Sequence, residues 1–357
     1  MTPHECTRRV MVGKVPVGGG APVSVQSMCN TRTSDAEATL AQIQRFANTG
    51  CEIVRVTLPA ADAVDSFRHI CAESPLPVVA DIHFDYRLAI AAIESGAAAV
   101  RINPGNIGSF DRVDAVIDAA AQAGCAIRIG VNAGSLAKEY DERPDLTLTD
   151  KLVASAESFV AHFEGRGFTD FVLSAKVHGV RETIEVNRRL SQALPQAPLH
   201  IGVTEAGTTR QGTVKSAIAM GALLSEGIGD TMRVSLTADP VEEVRVAWDI
   251  LSSLGIRRLH PEMVSCPTCG RTQVDLIGIA NEVERRLEQI TAPITVAVMG
   301  CVVNGPGEAR GADIGVACGR GSAVVFAGGE ILRKVSEDEI VDVLFDEIGK
   351  RWPAVES

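Results

Sequence analysis

Four of the nine cysteines in this 357-residue chain fall in its last 92 residues, and three of them are spaced as metal ligands. Cys266-Pro-Thr-Cys269 is a C-x₂-C pair, and Cys301 follows later in the chain. Zinc ribbons and redox pairs also use C-x₂-C, but a zinc ribbon needs a second cysteine or histidine pair, and none follows. Three thiolates suit a [4Fe–4S] cluster in which one iron has no cysteine ligand.

An oxygen ligand for that iron is available shortly after Cys301. Glu308 follows the loop Asn304-Gly305-Pro306-Gly307, whose backbone amides can reach cluster sulfurs. Cys318 lies in an apolar stretch, which indicates a packing role. A cluster with one distinct iron can accept a substrate oxygen as well as electrons, so the pattern favours an enzyme over a simple electron carrier.

A second set of chemically capable residues is basic and lies near the ends of predicted strands. One interpretation is that these basic side chains are ordinary solvated surface charges. However, cations at equivalent ends of parallel strands converge, and without an anion they would repel each other. Arginine clamps suit phosphate oxygens, so the set predicts a small, doubly phosphorylated substrate. The five residues are Arg55, Arg101, Arg128, Lys176 and Arg233.

Uncharged and acidic residues at the same strand ends are further candidates. Glu205 is a carboxylate amid these cations, and either acid–base catalysis or an ion pair with an arginine explains it. His83 can have its tautomer held by Asp81. His178 and His200 receive no assigned role. The other candidate substrate contacts are Asn103, Asn132, Thr204 and Ser235.

An alternation of strands and helices over residues 23–254 would position these residues. Eight strand–helix units predict an α/β fold, a (β/α)₈ TIM barrel, whose chemistry lies at the carboxyl ends of the strands. An open doubly wound sheet is the alternative, but no G-x-G-x-x-G follows any strand. The predicted strands are 23–28, 52–58, 77–82, 99–104, 126–132, 168–177, 199–206 and 231–237. The predicted helices are 35–49, 60–74, 85–95, 110–123, 150–165, 180–194, 210–226 and 239–254.

The cysteine motif belongs to a separate region. We predict a substrate-binding barrel domain over 1–254, a linker over 255–261 and a small α+β iron–sulfur domain over 262–357. Its predicted order is α-β-β-β-α. The predicted elements are a helix at 272–289, strands at 294–300, 312–317 and 322–327, and a helix at 336–350.

Composition narrows the class of protein. The formal charge is 34 − 45 = −11, which argues against a nucleic-acid partner but not against a small anion bound by a local basic cluster. Apolar residues make up 46% and charged residues 22%, as in globular proteins. We find neither an apolar run of membrane-spanning length nor a signal pattern, and expect a cytoplasmic protein.

Eight stretches together resemble the 4-hydroxy-3-methylbut-2-enyl diphosphate synthase family, in its two-domain bacterial form. They are VQSM, VADIHF, RINPGN, RIGVNAGS, LHIGVTEAG, EGIGDTMRVSLT, SCPTCGRT and MGCVVNGPGEA. The resemblance implies reductive ring opening of 2-C-methyl-D-erythritol 2,4-cyclodiphosphate in the methylerythritol phosphate route to isoprenoids. It implies electrons from flavodoxin or ferredoxin. One departure follows the first barrel strand, at Cys29 and Arg32, and these two receive no role.

The resemblance also assigns roles to residues. It implies cluster ligation by Cys266, Cys269, Cys301 and Glu308, and a catalytic role for Glu205. It implies diphosphate binding by the five basic residues. Two other hypotheses stay open: a redox-neutral iron–sulfur hydro-lyase acting on a small diphosphate, and a non-enzymatic module with a structural zinc at the three cysteines.

Chain geometry suggests a homodimer. The eighth predicted helix, 239–254, runs back to the bottom of the barrel, and the seven-residue linker spans at most about 25 Å. A domain attached there cannot easily reach its own barrel mouth. We therefore expect a two-fold dimer whose composite active sites each combine one chain's barrel with the partner's cluster domain.

Overall fold

The computed structural model describes residues 2–132, 136, 140, 142–301 and 311–353. The chain divides into two compact units, Met1–Arg257 and Arg258–Ser357. Among the described residues, the helices are too short or too polar to cross a membrane.

The first unit begins with a short helix and a hairpin that precede the barrel. Helix α1 is Pro3–Cys6, and strands β1 (Val10–Val12) and β2 (Val15–Val17) pair antiparallel. Val10, Val12 and Val17 are buried in one apolar cluster with barrel residues such as Ile53 and Val172. The hairpin therefore covers one end of the barrel interior. The sequence analysis did not predict it, because strands of three residues give too short a pattern.

Eight parallel strands then form a barrel, which confirms the predicted fold. Their order is β8-β7-β6-β5-β4-β3-β10-β9, and a parallel bridge between Leu173 and Leu199 joins the two edges. The strands are β3 (Ser24–Met28), β4 (Ile53–Thr57), β5 (Val78–Asp81), β6 (Ala99–Ile102), β7 (Ala126–Asn132), β8 (Phe171–Lys176), β9 (His200–Ile201) and β10 (Thr231–Met232).

Helices alternate with these strands, with ends within a few residues of the predicted ones. Several start at an aspartate whose side chain accepts a backbone N–H of the first turn, as Asp35, Asp85 and Asp239 do. The helices are α2 (Ala36–Asn48), α3 (Val64–Glu73), α4 (Tyr86–Glu94), α5 (Pro104–Ile107), α6 (Phe110–Ala123), α7 (Leu148–Gly165), α8 (Val180–Ala193), α9 (Thr209–Ser225) and α10 (Pro240–Ser253).

The two-residue period of each strand separates the barrel interior from the helix layer. Arg55 lies between Val54 and Val56, which are 0% and 1% exposed and suit the helix-facing side. Strands β9 and β10 are much shorter than the predicted 199–206 and 231–237. A Cβ at Gly202 would lie 2.4 Å from the Arg233 carbonyl oxygen, so that carbonyl occupies the space that a side chain at position 202 would need.

The described residues of the second unit form a five-stranded mixed sheet and two α-helices. The strand order is β11-β12-β13-β14-β15, parallel over the first three strands and antiparallel afterwards. The helices contribute Val283 and Leu344 to one buried cluster with Val298 and Val316. The elements are β11 (Glu262–Ser265), α11 (Leu276–Leu287), β12 (Thr295–Met299), β13 (Ile314–Gly319), β14 (Ser322–Ala327), β15 (Glu330–Ser336) and α12 (Ile340–Arg351).

The predicted order α-β-β-β-α was wrong, because both edge strands of this sheet were missed. Strand β11 has four residues, and β15 is exposed at most positions, so neither has a buried apolar pattern. A turn signal was available before β15: Gly328 and Gly329 both have positive φ, at 56° and 85°, as a two-residue hairpin turn requires.

Candidate active site

Five cations converge inside the barrel at the carboxyl ends of its strands. The side chains of Arg55, Arg101 and Arg233 are 14%, 11% and 15% exposed, and Arg128 is 6% exposed. Lys176 ends β8 and is partly buried. Burial lowers the pKa of both Arg128 and Lys176 well below their ordinary values, and the charges of the other cations lower it further. The five charges are therefore close enough to destabilise one another.

Two buried carboxylates offset part of this charge. Asp81, on β5, lies 3.9 Å from Arg55 Nε and 3.5 Å from Arg101 Nη1. Burial alone would raise the pKa of Asp81, but the neighbouring arginines outweigh it and hold the pKa below its ordinary value. Glu243, on α10, lies 3.4 Å from Arg233 Nε and accepts the Leu236 backbone N–H at 3.0 Å. Five cations and these two carboxylates leave a formal charge of 5 − 2 = +3.

Uncharged groups contact the remaining cations. Arg128 Nη1 donates to the side-chain oxygen of Gln26. Lys176 Nζ lies 3.2 Å from His200 Nε2. Arg55 also donates to the thioether sulfur of Met28, at 3.1 Å from Nε and 2.7 Å from Nη2. Neutral acceptors orient a cation without cancelling its charge, so this interior is built to attract an anion.

Two glycines make room for the cations. Gly130, on β7, lies beside Arg101, and a Cβ at Gly130 would stand 2.7 Å from Arg101 Nε. A Cβ at Gly202 would stand 3.3 Å from Lys176 Nζ. The missing side chains leave the space that the guanidinium and ammonium groups occupy.

Glu205 lies after β9 in an unusual backbone conformation. Its φ is +54°, and it is the one described non-glycine residue with positive φ. Left-handed backbone costs a non-glycine residue about 1 kcal/mol or more, and such strain concentrates at functional sites. Glu205 is exposed, and within the described part of the chain it has no hydrogen bond or ion pair. Among the described residues, Glu205 therefore does not form the ion pair with an arginine that is the alternative interpretation.

The other predicted contacts fall at or near the same strand ends. His83 is half exposed, with Nε2 at 3.8 Å from Asp81 Oδ2, and Asn103 is buried, with its side-chain oxygen accepting the Gly105 N–H at 3.0 Å. Thr204 and Ser235 are partly buried in the loops after β9 and β10. Asn132 ends β7, opposite Lys176 in the strand register. His178 is exposed just beyond β8.

The sequence analysis did not identify three residues of this interior. Gln26 and Met28 alternate with outward residues of β3, so the two-residue period would have placed them inside once strand ends were known. Glu243 is 3% exposed on α10, between the buried Val241 and Val244. A charged residue on the apolar face of a helix is the signal that would have identified it.

In the second unit, two of the three candidate cysteine ligands follow adjacent parallel strands. Cys266 comes directly after β11, and Cys301 follows β12 by two residues. The Gly300 backbone N–H donates to Cys266 Sγ at 3.1 Å. Hydrogen bonds from the Arg271 backbone N–H and side chain lower the pKa of the Cys269 thiol, which is exposed. Donors of this kind stabilise thiolates, the form that ligates iron.

The surroundings of these cysteines are compatible with ligation of an iron–sulfur cluster. The surroundings of the fourth cysteine in this region are not. Cys318 is fully buried, and burial raises the pKa of its thiol to about 12. Within the described ranges, no three His, Cys, Asp or Glu side chains lie close enough to form a metal site. Glu308 and the loop Asn304–Gly307 lie outside the described residues.

Comparison with known proteins identifies similar sequences along both units. Residues 7–248 match the profile described as the GcpE TIM-barrel domain, and residues 262–350 match the GcpE protein C-terminal domain. Among solved structures, a dihydropteroate synthase from Yersinia pestis is similar over 69% of this chain and 98% of the dihydropteroate synthase chain. The sequence identity is 14% and the TM-score is 0.49.

Two curated relatives are similar over nearly their whole length. A protein of Geobacter sulfurreducens is 53% identical over 344 residues, 96% of this chain and 97% of that protein. One of Clostridium acetobutylicum is 54% identical over 342 residues, 96% and 98% of the two chains. Both are named 4-hydroxy-3-methylbut-2-en-1-yl diphosphate synthase (flavodoxin).

Proposed function

The chain belongs to the GcpE family, and from this premise we propose that it converts 2-C-methyl-D-erythritol 2,4-cyclodiphosphate to 4-hydroxy-3-methylbut-2-enyl diphosphate. The substrate takes up two electrons and two protons, a ring C–O bond breaks, and one water leaves. The two matching domain profiles and the curated relatives confirm the family that the sequence motifs predicted. The chain is an oxidoreductase of isoprenoid precursor biosynthesis.

One observation carries the choice of substrate class: the five cations and two carboxylates described in the barrel interior have a formal charge of +3. The five converging cations outnumber Asp81 and Glu243, and Arg128 and Lys176 contact only neutral acceptors among the described residues. A cyclic diphosphate supplies the missing negative charge and several oxygen acceptors for paired N–H donors. The proposed contacts beyond the five cations are His83, Asn103, Asn132, Thr204 and Ser235.

Substrate affinity should fall when either cation with a neutral acceptor is removed. We expect Arg128→Ala and Lys176→Ala each to weaken binding by about 1–3 kcal/mol, the worth of a charge-assisted hydrogen bond. Calorimetry with the cyclic diphosphate, in the absence of reductant, measures the affinity without turnover. Unchanged affinity in both variants would place the anion elsewhere.

The glycine beside Arg101 provides a gentler test of the same site. Gly130→Ala puts a methyl group where the Arg101 guanidinium lies, and we expect substrate affinity to fall by about 1–3 kcal/mol. The melting temperature should change little, because the displaced atoms are the end of a flexible side chain. Gly221→Ala on α9 is the matched control, since nothing lies within 4 Å of its new Cβ. Equal affinities in the two variants would argue against a role for Arg101.

A [4Fe–4S] cluster held by Cys266, Cys269, Cys301 and Glu308 is the proposed cofactor. When bound, such a cluster supplies the electrons one at a time. The Arg271 donors lower the pKa of the Cys269 thiol and so support a thiolate there, and the Gly300 N–H donates to Cys266 Sγ. Of the barrel residues, the cations hold both phosphates, and Glu205 transfers a proton to the departing oxygen. Flavodoxin is the proposed electron donor, supported by the names of the relatives.

The assay that tests this function measures product formation by anaerobically purified protein, with and without reductant. We expect product only when reduced flavodoxin or a chemical reductant is added. Turnover without reductant would favour the redox-neutral hydro-lyase. Zinc in place of iron and sulfide would favour the structural-zinc module.

A cytoplasmic location is also proposed, and the nine free thiols support a reducing compartment.

A homodimer with composite active sites is the proposed assembly, and complementation tests it. Cys301→Ser and Glu205→Ala chains should each be inactive alone. In a mixed dimer, one composite site carries both lesions and the other carries neither. Random exchange gives half mixed dimers, so we expect about one quarter of wild-type activity. No recovery after demonstrated subunit exchange would mean that each cluster serves its own barrel.

A further inference from the structure

A fully buried histidine touches one of the five cations from inside the barrel. His200, on β9, is 0% exposed, and its Nε2 lies 3.2 Å from Lys176 Nζ. Within the described residues, this is the one hydrogen-bond contact of the Lys176 ammonium. Gly202 follows β9 directly, two residues after His200, and its missing side chain leaves room for the ammonium. The segment from His200 to Gly202 therefore leaves space for the Lys176 ammonium, which contacts the His200 imidazole.

Elementary hydrogen-bond chemistry fixes the state of this imidazole. When Lys176 is an ammonium it can only donate, so Nε2 then presents its lone pair and the ring proton lies on Nδ1. Nδ1 has no hydrogen-bond partner among the described residues, so no other contact there selects a different tautomer. Burial, and then the charges of Lys176, Arg128 and Arg55, lower the pKa of His200 well below its ordinary value. The ring is therefore neutral.

We propose that His200 is a positioning residue, whose neutral Nε2 accepts a hydrogen bond from the Lys176 ammonium and holds it toward the diphosphate. A carboxylate in this place would hold the ammonium as firmly but would cancel the charge that attracts the substrate, as Asp81 and Glu243 partly do for their arginines. An apolar residue would leave the ammonium free to move away from the other cations. The inference rests on the proposed function, since it assumes that Lys176 binds the substrate.

A double-mutant cycle tests the pairing. The probe is the cyclic diphosphate, titrated calorimetrically into cluster-loaded enzyme without reductant. We expect Lys176→Met to weaken binding about tenfold or more, and His200→Leu about three- to tenfold. The double variant should bind no more weakly than Lys176→Met, because His200 acts through Lys176. In turnover assays, His200→Leu should raise KM more than it lowers kcat.

Conservative rescue and a matched control complete the cycle. His200→Gln should restore most of the affinity, since a glutamine oxygen reaches about as far as Nε2. Ser216→Ala on α9 removes another fully buried polar group without a hydrogen-bond partner, and should bind as wild type. Additive losses in the double variant, or no rescue by glutamine, would overturn the role of His200. Unchanged affinity in Lys176→Met would instead overturn the proposed anion site, and this inference with it.

A measurement on the unaltered protein avoids the risk that His200→Leu misfolds. Nitrogen NMR of the histidines distinguishes the two neutral tautomers from imidazolium, and the chain has only seven histidines to assign. We expect one ring, identified as His200 by substituting the others singly, to stay in the Nδ1–H form over about pH 6 to 8. An Nε2–H form, or an imidazolium in this range, would overturn the proposal.

Discussion

Replacing Cys301 with serine should remove the iron–sulfur chromophore and abolish turnover. The serine hydroxyl is a much poorer ligand than a thiolate, and a cluster with only two cysteine ligands should not survive purification. Cys266→Ser and Cys269→Ser should behave in the same way. Iron and sulfide analysis, a visible spectrum and the reductant-dependent assay measure the effect. The wild-type chain should contain about four iron and four sulfide per chain.

The matched control for this loss is the fourth cysteine of the same unit. Cys318 is buried on β13, and its thiol, with a pKa raised to about 12, is protonated at neutral pH. Cys318→Ser should therefore keep the full cluster content, at some cost in stability because a hydroxyl replaces a buried thiol. Full cluster content in any of the three ligand variants, or its loss in Cys318→Ser, would contradict the ligand assignment.

The barrel was predictable because its signals are repeated and local. Each β-branched run is followed by an apolar-periodic helix, and aspartates such as Asp35 and Asp239 mark helix starts. The edge strands β11 and β15 were not predictable by the same means, since edge strands bury few side chains. The N-terminal hairpin was missed because its burial comes from the barrel, which a short sequence window does not contain.

The five cations could be read from the sequence, but their partners could not. Strand periodicity alone places Arg55 and Arg101 on an inward face. Glu243 lies far in sequence from Ser27 on β3, and only the closed barrel brings Ser27, Arg233 and Glu243 together. The left-handed backbone of Glu205 likewise depends on how the loop after β9 is held, since glutamate itself does not favour that conformation.

Replacing Glu205 with glutamine should lower kcat by about 10²- to 10⁴-fold, the usual worth of a general acid or base. Glutamine keeps the size and hydrogen-bonding capacity of the side chain but cannot deliver a proton. KM should change much less than kcat, because the cations, and not Glu205, hold the phosphates. Steady-state kinetics with saturating reductant measures both constants. A rate near that of wild type would remove Glu205 from the proton transfer.

Replacing Glu205 with glycine distinguishes a role in catalysis from a role in folding. Loss of the carboxylate should lower turnover, whereas relief of the backbone strain should not lower stability. At a φ of +54°, glycine relieves about 1–2 kcal/mol of backbone strain, against about 0.5–1 kcal/mol of added chain entropy in the unfolded state. Glu205→Gly should therefore melt at the same temperature as wild type or slightly higher, while its turnover falls as in Glu205→Gln. If Glu205 instead served the fold, Glu205→Gly would melt earlier and Glu205→Gln would keep its rate. Within the described part of the chain, no hydrogen bond or ion pair of Glu205 offsets this strain, which supports the proton-transfer role that we propose for it.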